Sequence, residues 1–354
     1  MIARKPGLPV AVLGATGLVG QRLVALLDGH PMFELAQVAA SDRSAGRPYA
    51  RAATWRLPVP VPERAASLEV LPCDPARIDA PVVLSALDAS VAREIEAAFA
   101  AAGRIVVSNA RSWRREPDVP LVVPEVNADH LALIERQREA RGWSGAIVTN
   151  PNCSVIGLVL ALAPLHAEAG VRRVVATTLQ AASGAGYPGV PALDLLDNVV
   201  PAIPGEEDKL QAEPPKILGT LAGSGVTPAP VTISAHTHRV PVQDGHLIAV
   251  SVETGRALAP ERAAELMRAY RGEPQRLGLP TAPEAPIRVV EADDRPQPRL
   301  DREAGGGMAV TVGRIARCPV LGLRFELLAH NTLRGAAGGT LLLAELLAAR
   351  GSLP

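Results

Sequence analysis

Aromatic side chains are nearly missing from this chain of 354 residues: three Phe, three Tyr and three Trp make up 3% of it. Packing must fall to Val, Leu, Ile and Ala. With 48% hydrophobic residues, the length is enough for cores in two domains of ordinary size. Lysine is equally scarce, with only Lys5, Lys209 and Lys216 among 36 basic residues. Acidic and basic residues balance at 36 each, and no basic block occurs, which argues against nucleic acid as the main partner. A local arginine cluster still suits a small acidic molecule. Cysteine is sparse, odd in number and widely spaced (Cys73, Cys153, Cys318), which fits a reducing compartment better than a disulfide framework. No Cys-x-x-Cys or His-rich spacing suggests zinc, and no metal is expected. The N-terminus lacks the apolar run of a signal peptide, and no stretch reads as a membrane span, so the expected location is the cytoplasm.

What is present centres on Thr149-Asn150-Pro151-Asn152-Cys153-Ser154 and the apolar run Val155 to Leu162 behind it. Ala146 to Val148 reads as a strand, Pro151 as a turn, Asn152 as a helix N-cap, and the apolar run as a helix buried nearly all round. Cys153 then stands in the first helical turn, where free N–H groups and the helix dipole favour a thiolate. The same N–H groups can hold a developing oxyanion.

Nearer the N-terminus, the apolar run Leu8 to Leu13 leads into Gly14-Ala15-Thr16-Gly17-Leu18-Val19-Gly20, and Val19, Leu23, Leu26 and Leu27 recur at helical spacing. Strand, glycine turn and helix form the context of a dinucleotide fingerprint, here spaced G-x-x-G-x-x-G. Gly14, Thr16, Gly17, Leu18 and Val19 are the candidate cofactor contacts. The next strand, Phe33 to Ala39, ends in Ser41-Asp42-Arg43-Ser44 rather than in a lone acidic residue. Ser41, Arg43 and Ser44 can hold a 2′-phosphate, which favours NADP over NAD, while Asp42 would repel that phosphate if it pointed inward. Further strands are expected at 82–87, 104–107 and 121–125, with helices over 89–102 and from an Asn127 cap to Arg141. This alternation implies a parallel sheet whose ligands lie beyond the carboxyl ends of the strands, which brings Ser85, Ser108 and Asn109 to the site. Arg111, Arg114 and Arg115 follow, with a solvated loop as the ordinary reading of each.

Past Cys153 a β-branched strand runs from Val171 to Ala181, and the glycine-rich stretch Gln180 to Gly186 reads as a loop meeting a ligand. Glu206-Glu207-Asp208-Lys209 reads as a solvated charged loop. In Arg239-Val240-Pro241-Val242-Gln243-Asp244-Gly245-His246, Asp-Gly is a hairpin signal. A turn there pairs Gln243 with His246 and Arg239 with Val250, and places Arg239 and His246 on one face.

These stretches, joined by His330-Asn331-Thr332-x-x-Gly335-Ala336-Ala337, occur in an order that resembles aspartate-semialdehyde dehydrogenase, most like its archaeal and fungal branch, from about Val10 to Leu347. The resemblance implies an α/β fold: a Rossmann-type domain over 1–151, completed by a C-terminal helix in 331–354, and a second α+β catalytic and dimerisation domain over 152–330. It implies reductive dephosphorylation of L-aspartyl 4-phosphate by NADPH to L-aspartate 4-semialdehyde and phosphate, toward lysine, threonine and methionine, in a homodimer or homotetramer. It makes Cys153 the nucleophile, His246 the acid/base and Gln180 the orienter of the acyl group. Arg239 and Glu206 would bind the substrate's α-carboxylate and α-amino group. Arg114, Asn152 and Lys209 would surround the phosphate, and Ser183, Gly184 and Asn331 would lie against the cofactor, with Ser85 a further cofactor contact. Malonyl-CoA reductase and N-acetylglutamyl-phosphate reductase use related chemistry. A substrate without an amino group leaves Glu206 without a role, and the Asn-Pro-Asn-Cys segment fits the latter family less well. A non-enzymatic paralogue would have lost the cysteine or the histidine.

Overall fold

A computed structural model of the chain describes residues 7–223 and 225–353; Lys5 and most of the stretch read for a targeting sequence lie outside them. The chain divides into two compact units. One takes the residues up to Pro120, Leu131–Asn150 and those from Thr340 on, and the other takes Leu121–His130 and Pro151–Gly339.

The first unit is built on six parallel strands: β1 (Leu8–Leu13), β2 (Phe33–Ala40), β3 (Val70–Pro72), β4 (Val82–Ser85), β5 (Ile105–Ser108) and β6 (Ala146–Thr149). Their order is β3-β2-β1-β4-β5-β6, the doubly wound arrangement, whose direction of winding reverses between β1 and β4. The central strands are continuous apolar runs because helices cover both faces of such a sheet, so no polar side is needed. Among those helices are Leu18–Leu27, Ala89–Ala101 and Leu133–Arg141. The final helix, Gly338–Ala349, adds Leu341, Leu342, Leu343, Leu346 and Leu347, all essentially without solvent contact.

The second unit carries β7 (Val171–Gln180), the small pair β8 (Thr220–Ala222) and β9 (Gly225–Thr227), β10 (Thr232–Arg239), β11 (His246–Thr254), β12 (Ile287–Val289), β13 (Val310–Cys318) and β14 (Gly322–Ala329). Six of these form a mixed sheet in the order β10-β7-β11-β14-β13-β12. One face packs on the helix Cys153–Ala169, whose residues Val155 to Leu165 are buried without interruption. Each Leu or Val so covered is worth about 1.5–3 kcal/mol. The opposite face carries alternate residues such as Val175 and Leu179, 42% and 36% exposed.

Several expectations fail for identifiable reasons. Residues 121–125 form no strand, because the Asn127 side chain takes up the backbone there: its Oδ1 accepts the Val123 N–H at 2.9 Å and its Nδ2 donates to the Leu121 carbonyl at 2.8 Å. Asn127 therefore braces the preceding turn rather than capping a helix. The helix to Arg141 begins only at Leu133, after a 3-10 turn over Ala128–Ala132. The hairpin across Asp244-Gly245 does not form either. β7 lies between β10 and β11, parallel to the first and antiparallel to the second, so Arg239 pairs with Gln180 and not with Val250. Glu206 to Lys209 is the first turn of a helix, Glu206–Ile217, not a loop. Segments 121–130 and 331–339, expected with the Rossmann domain, group with the second unit. Leu121 and Val123 pack in its core, and Glu125 pairs with Arg334.

Candidate active site

The site in the second unit forms where the Cys153–Ala169 helix begins. Its N-cap is Asn152, whose side-chain oxygen accepts the Ser154 N–H at 3.0 Å. Two carboxylates of the Glu206–Ile217 helix, two turns apart, hold Asn152 in turn. Glu213 accepts its backbone N–H at 2.8 Å, and Glu206 accepts its side-chain amide at 2.9 Å. Cys153 thus starts the helix from a fixed point.

β10, β7 and β11 supply the facing wall. Arg239 lies in register with Gln180, and His246 begins β11 beside the Leu247–Leu179 pair, so all three end on the buried face. The sequence placed Arg239 and His246 on one face through a hairpin. They do share a face, but because β7 bridges them, and Gln180 joins them for the same reason.

His246 is fully buried, and its Nε2 lies 3.3 Å from Cys153 Sγ. Its Nδ1 receives the Ala181 backbone N–H at 3.1 Å. A backbone N–H only donates, so Nδ1 is the bare nitrogen and the neutral ring carries its proton on Nε2, aimed at sulfur. Burial above all, then the charges of Arg239 and His330, push the imidazole down to about 3, so it stays neutral near pH 7. In this tautomer Nε2 already carries a proton and has no lone pair for the thiol's, so the acid/base role expected of His246 is cut back here to a donor: the ring stands ready to give a hydrogen bond to a Cys153 thiolate. Arg239 donates from Nη1 to the Ala181 carbonyl at 2.8 Å, so the backbone of one residue positions both the cation and the imidazole, through the peptide units on either side of its Cα.

Glu206 is buried and pairs with Lys209, and Gln180 Nε2 lies 3.5 Å from its Oε2. Burial pushes its carboxyl up, but the Lys209 charge and hydrogen bond, with those from Asn152 and Gln180, outweigh this and hold it below the usual carboxylate range. Glu206 is therefore a carboxylate at neutral pH. Gly184 has its place because a β-carbon there would lie 2.6 Å from Arg239 Nη1 and 3.0 Å from His246 Cε1. Asn331 joins two loops, accepting the Gly245 N–H and donating to Ser183 Oγ, each at 2.8 Å.

The glycine turn of the first unit is built to admit an anion. Gly14 has φ +69°, and a β-carbon there would meet the Ala86 carbonyl at 2.5 Å. Gly20 lies against the Gly14 carbonyl just as tightly, which brings the helix up to the strand. The Leu18–Leu27 helix is capped by Gly17 with no side-chain cap bond and has no acidic residue in its first turn, so its N-terminus is free to face phosphate. Thr16, Leu18 and Val19 are half-buried around it, and Ser41, Asp42 and Arg43 form an exposed turn at the end of β2, closed by the Ser44 N–H to Ser41 carbonyl bond. Of the three arginines after β5, only Arg114 is buried, donating to the Asn109 carbonyl at 2.7 Å.

Ser85 does not present its hydroxyl at the strand end as expected. It donates inward to Glu96 Oε1 at 2.6 Å, as Ser108 does at 2.7 Å. Sequence reading also missed two supports of the glycine turn. Tyr49 donates from its hydroxyl to the Ala15 carbonyl at 2.8 Å, and Gln21 donates to the Thr16 and Thr54 carbonyls. An isolated Tyr in a Pro- and Arg-rich stretch carries no pattern that would find it; a Gln on the helical stripe of an apolar helix is a weak one. Among the described residues no cluster of His, Cys, Asp and Glu could hold a metal, and no helix is long and apolar enough to cross a membrane.

Comparison with known proteins agrees with this architecture. Residues 9–134 match the family model of the semialdehyde dehydrogenase NAD-binding domain, and residues 162–334 match that of the semialdehyde dehydrogenase dimerisation domain. Aspartate-semialdehyde dehydrogenase of Archaeoglobus fulgidus is 51% identical over 96% of this chain and 97% of its own, and that of Cryptococcus neoformans is 48% identical over 98% of each. The crystal structure of the Candida albicans enzyme with NADP superposes with a TM-score of 0.90 at 42% identity, covering 98% of this chain and 99% of that one. With that likeness running from the glycine turn to the final helix, the chain belongs to the aspartate-semialdehyde dehydrogenase family.

Proposed function

We propose that the protein converts L-aspartyl 4-phosphate to L-aspartate 4-semialdehyde and phosphate with NADPH, through a thioester on Cys153. The carrying observation is the Cys153 Sγ to His246 Nε2 contact of 3.3 Å, with Nδ1 occupied by the Ala181 N–H. A thiolate is a soft nucleophile suited to an acyl phosphate, and three features favour it here: the helix N-terminus, the Nε2–H and the nearby Arg239 charge.

The Cys153 sulfur attacks the acyl carbon, the carbon–oxygen bond to phosphate breaks, and a thioester remains. His246 donates a hydrogen bond first to the thiolate and then to the carbonyl oxygen as negative charge develops there. Arg239 grips the α-carboxylate and the Glu206 carboxylate pairs with the α-ammonium, a lining matched to a small anion bearing one cation. Gln180 orients the acyl group. Lys209, Asn152 and Arg114 bind the departing phosphate.

Bound NADPH supplies the hydride that reduces the thioester to the aldehyde and frees the thiolate. The cradle at Gly14 and the open N-terminus at Gly17 fit a pyrophosphate, with Thr16, Leu18 and Val19 around it. Ser41, Arg43 and Ser44 take the 2′-phosphate. Ser183, Gly184 and Asn331 lie against the nicotinamide end. The product feeds lysine, threonine and methionine synthesis in the cytoplasm.

A homodimer or homotetramer is the working form. The match of residues 162–334 to a dimerisation domain supports it, as does the outer sheet face bearing Val175 and Leu179. The ionised Glu206 favours a substrate with an ammonium group over an acyl-CoA without one. The test is NADP reduction in the reverse direction. L-aspartate semialdehyde should support sustained reduction, beyond one equivalent per site, only when inorganic phosphate is present; sustained reduction that needs coenzyme A instead would overturn the reading.

A further inference from the structure

The segment leading into the final helix is not α-helical. Leu333–Ala337 is a π-turn, with the Gly335 N–H bonded to the His330 carbonyl at 3.0 Å and the Ala337 N–H to the Thr332 carbonyl at 3.1 Å. Such turns hold one residue more than an α-turn, at a cost, and recur at functional sites. This one presses on Cys153: a β-carbon on Gly335 would lie 2.6 Å from Cys153 Cβ and 2.9 Å from its Cα. The next residue back, Arg334, is fully buried and forms a two-pronged ion pair with Glu125, Nη1–Oε1 2.7 Å and Nη2–Oε2 2.5 Å. Glu125 is itself fixed, since Tyr270 donates to its carbonyl at 2.7 Å and Gly272 lies against its Cα, where a β-carbon would come within 2.4 Å.

We infer that the Glu125–Arg334 ion pair is a positioning device for the nucleophile: it holds the π-turn that sets Gly335 against Cys153 and Asn331 between the Ser183 and Gly245 loops. The geometry gives the reason. If the turn relaxed to an α-turn, the residues before it would rotate by about one residue's share of a helical turn, roughly 100°. Asn331 would leave Ser183 and Gly245, and Gly335 would leave Cys153. A buried ion pair is weak evidence of stability, because removing two charges from water offsets much of their attraction; its best-attested use is to specify one packing among several. Glu125 and Arg334 touch no reacting atom and act only through the turn. The inference rests on Cys153 as the nucleophile proposed above.

Two variants test it separately. Gly335→Ala leaves the ion pair intact and forces the turn and Cys153 apart. The double variant Glu125→Leu/Arg334→Met removes both charges together, so neither is left buried alone. Each should lower kcat at least tenfold with less than a threefold change in KM for NADP. Each should also slow alkylation of Cys153 by iodoacetamide, followed by peptide mass, and move its pH midpoint upward. A purely structural role would move the melting temperature and leave the alkylation midpoint in place. Wild-type kcat and alkylation in Gly335→Ala would overturn the inference even if the double variant failed to fold, and so would a wild-type alkylation profile in a folded double variant. Because alkylation reports Cys153 geometry whether or not it is the nucleophile, Cys153→Ala with retained turnover would instead count against the proposed function.

Discussion

At the scale of single residues, the decisive fact is how the backbone of one residue, Ala181, organises the Arg239 and His246 side chains. The Ala181 carbonyl takes Arg239, and the Ala181 N–H takes His246. Arg239→Lys should therefore fail despite keeping its charge, because one ammonium cannot bind both the carbonyl and a carboxylate in the guanidinium's planar geometry. We expect a loss of about 2–4 kcal/mol in kcat/KM, the range for misaligning a buried charged hydrogen bond, measured by steady-state kinetics with aspartate semialdehyde. A loss below tenfold would argue against Arg239 as the carboxylate partner. Cys153 was legible in the sequence because Asn-Pro-Asn before an apolar run announces a helix start. The tautomer of His246 was not, because a backbone N–H from a distant strand end decides it.

Among the elements, the strands of the parallel sheet were legible as short apolar runs between glycine and polar turns. The pairing of β10 with β11 was misread because Asp-Gly signals a local turn, whereas β7 inserts between them through contacts remote in sequence. The helix Ala89–Ala101 hides a second feature no periodicity reveals. Glu96 is fully buried beneath β4 and β5, with Ser85 and Ser108 both donating to Oε1, while Oε2 has no partner. Burial pushes its carboxyl up to about 7, against the pull of the two hydroxyls and Arg114. A raised folded-state pKa means a contribution to stability that is fully present below about 4.5 and is lost as pH rises through about 7. Glu96→Gln removes that dependence. Its melting temperature relative to wild type should climb from pH 5 to pH 7.5, by a free energy of about 1.4 kcal/mol per pH unit within the window. A difference independent of pH would show that Glu96 is ionised throughout.

Across the whole molecule, the order of elements along the chain was readable, but the grouping of 121–130 and 331–339 with the second unit was not, because it depends on Arg334 finding Glu125 across 209 residues of sequence. Assembly is the next level up. The outer face of the mixed sheet carries Val175 and Leu179 beside Thr177 and Ala249, with Glu326 half-buried among them and its carboxyl raised by burial. A charge at its centre is costly to bury against a second copy, so Val175→Asp should shift the mass measured by light scattering toward the monomer while the monomer stays folded; an unchanged mass would place the contact elsewhere. The central claim, a covalent acyl-enzyme at Cys153, has a more direct test. Enzyme mixed with L-aspartate semialdehyde and NADP in the absence of phosphate, quenched in acid and digested, should carry one aspartyl group on the peptide containing Cys153, and added phosphate should discharge it. Turnover in the presence of phosphate with that peptide never modified would contradict the account.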